Sequence, residues 1–173
     1  MLEQPATISP AIPRAVEQRA FEVLKIACER HVGLVTAESC TGGLLAALLT
    51  DIEGCSHAFE RGFVCYTDEA KTEMLRVPAA LIRMHGAVSA EVALAMATGA
   101  LAASKGHVAL AVTGYTECGP DGEEGGLVFF GAASRRSDPS VHEHHFGDIG
   151  RGAVRVECLS AGLEILWRRI LSG

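Results

Sequence analysis

The stretch Ala37-Glu38-Ser39-Cys40-Thr41-Gly42-Gly43 joins two apolar segments, residues 33–37 and residues 44–49. We predict a β-strand before this stretch and an α-helix after it, so that the seven residues form the turn between them. A helix that begins at such a turn has backbone N–H groups without intrahelical acceptors, and these groups favour an anion or an oxyanion. The turn is therefore a candidate ligand site.

Within the turn, Gly42 and Gly43 would allow a ligand to approach the backbone closely because they have no side chains. We expect a substrate to contact these two glycines and Thr41, and Ser39 to stand beside the oxyanion site. A simpler alternative is equally open at this point: Ser39 or Thr41 is an N-cap that satisfies the first backbone donors of the helix.

Strands alternate with helices along the rest of the chain. Further strands are predicted at 59–67, 108–113, 127–133 and 141–146, and helices at 14–30, after an N-cap at Asp68, from Pro78 to Gly86, from Ser89 to before Gly106, and at 151–171. The strand at 108–113 is wholly apolar, which is typical of a strand covered on both faces. This pattern predicts one α/β domain over residues 14–173 with helices on both faces of a sheet. Residues 1–13, with three prolines and no periodicity, are predicted to be a flexible tail.

The composition excludes several classes of function. A formal charge of −6 without a basic stripe argues against a nucleic-acid partner. The six cysteines contain no CxxC pair or zinc-like spacing, so we expect reduced thiols in a cytoplasmic protein. Neither a signal peptide nor an apolar stretch long enough to cross a bilayer is evident, so no membrane partner is expected.

Polar residues follow three of the predicted strands, where ligands of α/β sheets collect. Ser39 follows the first strand, Tyr66 and Lys71 follow the second, and Thr113 follows the central apolar strand; Arg151 begins the last helix. Serine becomes an effective nucleophile when a base accepts its proton, and a lysine can do this if burial or nearby positive charge keeps it neutral. A Ser39–Lys71 hydrolytic pair is the hypothesis that follows.

Each of these residues also has an ordinary structural interpretation. Tyr66 fits a strand-end aromatic residue, Lys71 a helix-surface lysine, and Thr113 a hydroxyl that satisfies the loop backbone. Glu38 has two alternatives: it orients Lys71, or it binds the backbone of the two glycines.

The histidines suggest no Ser-His-Asp triad. The alternating His142, His144 and His145 fit exposed residues of an edge strand better than a metal site, so no metal is expected.

The chain resembles the CinA C-terminal domain family, the nicotinamide-nucleotide amidases, from about residue 14 to residue 171. Three blocks in the same order carry the resemblance: TAESCTGG at 36–43, FERGFVCYTDEAK at 59–71, and HGAVS at 85–89. The resemblance implies a three-layer α/β/α sandwich that forms homo-oligomers. It also implies deamidation of nicotinamide mononucleotide to nicotinic acid mononucleotide and ammonia, without a cofactor.

The family's site residues are implied for the matching positions of this chain. Ser39 matches the nucleophile, while Tyr66 and Lys71 match the residues that handle its proton. Thr113 matches a substrate-binding residue after the central strand. Arg151 matches an arginine that faces the substrate phosphate, with Arg155 as the competing choice.

Two departures from the family pattern bear on substrate binding. The family's G-I-A-G-P-D-G is replaced by the nine residues GYTECGPDG at 114–122, and Glu117, Glu123 and Glu124 add negative charge there. The segment before Arg151 is also altered. Two alternatives to the amidase therefore remain: a non-catalytic paralogue that binds a nucleotide or acts in assembly, and an amidase for another small amide.

Overall fold

The computed structural model describes residues 12–52, 54–119 and 122–172, with the side chain of Ser56 left out. The predicted flexible tail falls almost wholly outside the described residues; of its last two residues, Ile12 packs partly buried against the core. The described residues form a five-stranded mixed sheet with the strand order β2-β1-β3-β4-β5. Strands β1, β2 and β3 run parallel, and β4 and β5 are antiparallel to their neighbours.

The order of elements follows the sequence prediction closely. The strands are β1 (Leu34–Glu38), β2 (Phe59–Val64), β3 (Val108–Gly114), β4 (Leu127–Ser134) and β5 (Ser140–His145). The helices are α1 (Arg14–Glu29), α2 (Leu44–Thr50), α3 (Asp68–Leu75), α4 (Ala79–His85), α5 (Ala90–Ala102) and α6 (Arg151–Leu171), with a short 3-10 turn at Ser56–Ala58.

The sheet separates two hydrophobic cores, which confirms the three-layer α/β/α arrangement. Side chains of β3 alternate between them: Leu110 and Val112 join the core beneath α1, α2 and α6, whereas Ala109 and Ala111 join the core beneath α3, α4 and α5. The alternation explains why β3 is apolar from Val108 to Val112, since both of its faces are covered.

The α5 layer lies very close to its neighbours. A Cβ added at Gly99 would come within 1.9 Å of the carbonyl oxygen of Leu75, and one at Gly131 within 2.1 Å of that of Ala93. The small residues of α5 are therefore used for packing within the chain. Among the described helices, none is both long and apolar enough to cross a membrane.

The first and last helices pack against each other. Arg19 of α1 forms an ion pair with Glu164 of α6, and its guanidinium lies 4.4 Å from the ring centre of Trp167. Near the other end of α1, Arg30 donates to the carbonyl oxygen of Ile170 at 3.0 Å. These contacts fasten the beginning of the domain to its end.

The region after β2 differs from the sequence prediction. The strand ends at Val64 rather than at Thr67, and the N-cap of α3 is Thr67 rather than Asp68. The Thr67 hydroxyl accepts a hydrogen bond from the N–H of Ala70 at 3.2 Å. Thr67 leaves the strand because a capping residue needs its side chain beside the start of the helix.

Candidate active site

The carboxyl ends of three neighbouring strands lie at the same level of the sheet. Glu38, the last residue of β1, is paired with Val64 of β2 on one side and with Val112 of β3 on the other. The backbone N–H of Ser39 continues this ladder by donating to the carbonyl oxygen of Val112 at 3.0 Å. The parallel register therefore brings the residues that follow each strand to a single edge of the sheet.

A cavity of about 370 Å³ opens at this edge, a volume typical of small-molecule sites. Residues 114–119 supply part of its wall. The predicted site residues that line the cavity are Ser39, Tyr66, Lys71, Thr113 and Arg151.

The side chain of Glu38 accepts hydrogen bonds at the start of α2. Its side chain is fully buried, with 0% exposed, and its Oε2 accepts hydrogen bonds from the Thr41 hydroxyl at 2.7 Å and from the backbone N–H groups of Gly43 at 3.1 Å and Leu45 at 3.0 Å. Its Oε1 accepts from the N–H of Ala46 at 2.8 Å. A carboxylate inside the protein thus satisfies the donors that a helix start leaves unpaired.

This arrangement corrects the interpretation of the turn. Neither Ser39 nor Thr41 caps α2, and the helix donors are not free for an oxyanion because Glu38 takes them. Of the two alternatives for Glu38, the backbone contact is correct, with Gly43 rather than Gly42 among the donors. Thr41, Gly42 and Gly43 do not line the cavity, and the positive φ angles of the glycines, 63° and 95°, serve the turn itself.

The turn after Ser39 is also held by α6. Nε of Arg155 donates to the carbonyl oxygen of Cys40 at 2.9 Å. The thiol of Cys40 contacts Cys158, and this hydrogen bond together with burial raises the pKa of the Cys158 thiol well above its usual value. Within the described chain, the Ser39 hydroxyl and the Cys40 N–H have no hydrogen-bond partner, and both residues line the cavity.

Lys71 is a buried lysine, with 1% of its surface exposed. Its Nζ donates to the carbonyl oxygen of Tyr66 at 3.3 Å and lies 3.7 Å from Oδ1 of Asp68, and no hydrogen bond joins it to the Ser39 hydroxyl. Burial raises the pKa of the neighbouring Cys65 thiol, and the charge of Lys71 opposes that rise. Sequence reasoning missed Asp68 as a cavity residue, since an acid in the first turn of a helix needs no other explanation.

Arg151 lies at the rim and contacts two cavity residues. Its Nη2 donates to Oε2 of Glu117 at 2.9 Å, and its guanidinium also interacts with the phenol of Tyr66, a residue that is 63% exposed. The hydrogen bond with Glu117 is the main cause that raises the pKa of Arg151. The Tyr66 hydroxyl therefore interacts with Arg151, while it is the Tyr66 carbonyl oxygen that meets Lys71. Of the two candidate arginines, Arg151 lines the cavity and Arg155 does not.

Thr113 connects the end of β3 to the turn before α5. Its hydroxyl donates to the carbonyl oxygen of Ala87 at 2.9 Å, and both residues line the cavity. The threonine therefore satisfies a loop carbonyl while its oxygen keeps the capacity to accept a further hydrogen bond.

The histidines of β5 are engaged with protein groups. His145 binds Glu124 through Nδ1 at 2.8 Å and Glu143 through Nε2 at 3.0 Å, and these bonds raise its pKa. Burial lowers the pKa of both His142 and His144. In the part of the chain that the structure describes, no cluster of three or more His, Cys, Asp or Glu side chains could hold a metal ion.

Comparison with known proteins identifies relatives over nearly the whole chain. The chain is 43% identical over 147 residues to the nicotinamide-nucleotide amidohydrolase PncC of Escherichia coli K12, covering 82% of this chain and 87% of that protein. A CinA-like protein of Geobacter sulfurreducens is 42% identical over 154 residues, which is 87% of this chain and 36% of that longer protein.

A solved structure shares the same fold. The crystal structure of the competence/damage inducible protein CihA from Agrobacterium tumefaciens superposes with a TM-score of 0.86 at 38% identity, covering 91% of this chain and 97% of that one. The sequence profile of the CinA C-terminal domain matches residues 16–170. The chain is thus a member of the CinA C-terminal domain family.

Proposed function

We propose that this protein hydrolyses the carboxamide of nicotinamide mononucleotide, giving nicotinic acid mononucleotide and ammonia. The observation that carries the proposal is that Ser39, whose hydroxyl has no hydrogen-bond partner among the described residues, shares one cavity with the buried amine of Lys71. The similarity to an amidohydrolase named for nicotinamide nucleotides supports the same substrate class.

In the proposed reaction, the Ser39 oxygen attacks the carboxamide carbon and Lys71 accepts the hydroxyl proton. The negative charge that develops on the carbonyl oxygen is stabilised by the N–H of Cys40, a donor next to the nucleophile that has no acceptor in the described part of the chain. The carboxylate of Asp68, 3.7 Å from Nζ, stabilises the ammonium form of Lys71 after the transfer.

The second half of the reaction regenerates the free hydroxyl of Ser39. The carbon–nitrogen bond breaks, the proton held by Lys71 passes to the departing ammonia, and an ester joins Ser39 to the pyridine carbonyl. Water then attacks the ester while Lys71 accepts its proton, the bond between the carbonyl carbon and the Ser39 oxygen breaks, Lys71 returns the proton to that oxygen, and the carboxylic acid product leaves. Tyr66 assists by positioning: its carbonyl oxygen holds the amine, and its phenol interacts with Arg151.

Arg151 is the proposed contact for the substrate phosphate, because it lines the cavity and a guanidinium matches phosphate geometry. Arg155 is assigned a structural role, since it holds the Cys40 carbonyl. The six free cysteines support a cytoplasmic location. Assembly into a homo-oligomer stays a prediction, which a light-scattering mass measurement would test.

The test is ammonia release from nicotinamide mononucleotide by the wild-type protein, Ser39→Ala, Lys71→Met and the control Ser140→Ala. Ser39→Ala should lower kcat by at least about a thousandfold, because the nucleophile is removed. Lys71→Met, which keeps an unbranched chain in the buried position, should also abolish most of the turnover.

Ser140→Ala lies on β5 away from the cavity, so it should keep the wild-type rate. Calorimetric binding of the nucleotide to Ser39→Ala separates loss of chemistry from loss of the site. Ammonia release at the wild-type rate from folded Ser39→Ala would refute the mechanism. Binding without turnover by the wild-type protein would favour the non-catalytic paralogue.

A further inference from the structure

Glu117 belongs to a loop whose base is fixed by backbone hydrogen bonds. The N–H of Tyr115 donates to the carbonyl oxygen of Leu127 at 2.9 Å, and the N–H of Gly126 donates to that of Tyr115 at 2.8 Å. These bonds extend the β3–β4 ladder beyond Gly114. They hold Glu117 at the cavity wall, where its carboxylate meets α6.

At that position Glu117 forms an ion pair with Arg151, the residue proposed to bind the substrate phosphate. One carboxylate oxygen lies 2.9 Å from Nη2 of Arg151, and the Tyr66 phenol also interacts with the same guanidinium. Side-chain exposures of 39% for Arg151 and 56% for Glu117 mean that water screens this ion pair. Its strength is that of a surface salt bridge, so a ligand can displace it.

The cavity has more negative than positive groups when Lys71 is in the neutral form that accepts the serine proton. Arg151 then carries positive charge, and Asp68 and Glu117 carry negative charge. Their formal sum is −1, so a dianionic phosphate gains nothing from the overall field and must displace a carboxylate to reach Arg151. A pyridinium ring, in contrast, carries a positive charge that the two carboxylates attract.

We infer that Glu117 is a specificity-determining residue that occupies Arg151 in the ligand-free protein and lowers the preference for a phosphorylated pyridinium amide over an unphosphorylated one. This inference rests on the proposed function. Its substrate class is therefore the pyridinium carboxamides in general, with the nucleoside accepted as well as the nucleotide.

The test compares Glu117→Gln with the wild-type protein on nicotinamide mononucleotide and on nicotinamide riboside. Without its carboxylate partner, Arg151 should bind phosphate more tightly. The ratio of kcat/KM for the nucleotide to kcat/KM for the nucleoside should therefore rise about two- to fivefold, which corresponds to the free energy of one exposed ion pair. The gain should lie in KM for the nucleotide. When Arg151 has already been replaced by glutamine, Glu117→Gln should not change this ratio.

Glu124→Gln is the matched control, because it removes one negative charge from the same loop but its carboxylate pairs with His145. It should leave the substrate ratio unchanged. An increase as large as that in Glu117→Gln would show a general effect of loop charge and would overturn the assignment. An unchanged or lower ratio in Glu117→Gln would overturn it as well, since Glu117 would then position Arg151 rather than compete for it.

Binding of inorganic phosphate, measured by calorimetry, tests the same pair without turnover. Glu117→Gln should bind phosphate about two- to fivefold more tightly than the wild-type protein. If no amide is hydrolysed but phosphate binding tightens in this way, the proposed function fails while the competition between Glu117 and phosphate stands. An affinity that is equal in the two proteins, or too weak to measure in Glu117→Gln, contradicts the competition.

Discussion

Replacing Glu38 by glutamine tests whether a buried carboxylate holds the nucleophile turn together. The substitution keeps the shape of the side chain but removes its charge and converts one acceptor oxygen into an NH2 group. The amide would best keep its oxygen at the Oε2 position, which accepts three hydrogen bonds, and place its NH2 group against the N–H of Ala46.

The cost follows from these contacts. Leaving the partly buried Ala46 donor unpaired costs about 1–3 kcal/mol, and three neutral hydrogen bonds replace three charge-assisted ones. Glutamine is easier to bury than a carboxylate, and this difference offsets part of the cost. We therefore expect a net loss of about 2–4 kcal/mol in the free energy of unfolding. In a domain of this size, that corresponds to a fall in Tm of about 5–15 °C.

Urea unfolding followed by circular dichroism measures this loss. Glu73→Gln, which changes an exposed carboxylate on α3, is the matched control and should stay within about 0.5 kcal/mol of the wild-type protein. If Glu38→Gln unfolds at the same urea concentration as the control, with an unchanged m-value, the assignment of Glu38 as the anchor of α2 is wrong.

Two further substitutions probe packing and pH dependence. Gly99→Ala would place a Cβ 1.9 Å from the Leu75 carbonyl oxygen, so calorimetry should show a loss of about 1–3 kcal/mol in the free energy of unfolding. Gly162→Ala, whose Cβ would meet a flexible leucine side chain at 3.0 Å, should lose less than half as much. Equal losses in the two variants would contradict the packing argument. The hydrogen bonds to Glu124 and Glu143 raise the pKa of His145, so its stabilising contribution is present below the ordinary value of 6.5 and is lost as the pH rises through the raised value. His145→Gln should therefore be destabilised relative to the wild-type protein at about pH 5.5 but not at about pH 9 in urea unfolding, and a difference that does not change with pH would contradict this assignment.

The fold was predictable because its strongest signals are local. The apolar run of β3 and the small-residue periodicity of α5 each specify one element, and Ser89 marks the start of α5 by accepting from the N–H of Val92. The boundary near Thr67 was less predictable because Thr67 and Asp68 are both good capping residues. Local chemistry alone does not choose between them.

The meeting of residues from several strand ends at one cavity was predictable, but their contacts were not. Parallel strands bring their carboxyl ends together, so the position of Ser39 and Thr113 at one cavity follows from topology. The partner of Glu38 does not follow from topology, because a carboxylate one residue before a serine can point towards a lysine or towards the start of a helix. Likewise, the orientation of the Tyr66 ring depends on the chain beyond the end of β2, where the alternation of a strand no longer applies.

The packing of α1 on α6 has a consequence for synthesis of the chain. The first residue of α6 follows the last residue of α1 by 122 positions, so at about 5–20 residues per second roughly 6–24 s pass before the two helices can meet. The apolar surface that α1 presents to α6 has no packing partner during that interval. The opposite hydrophobic core is complete at Ala133 and can form earlier. Folding on the ribosome is therefore expected to finish one face of the sheet before the other.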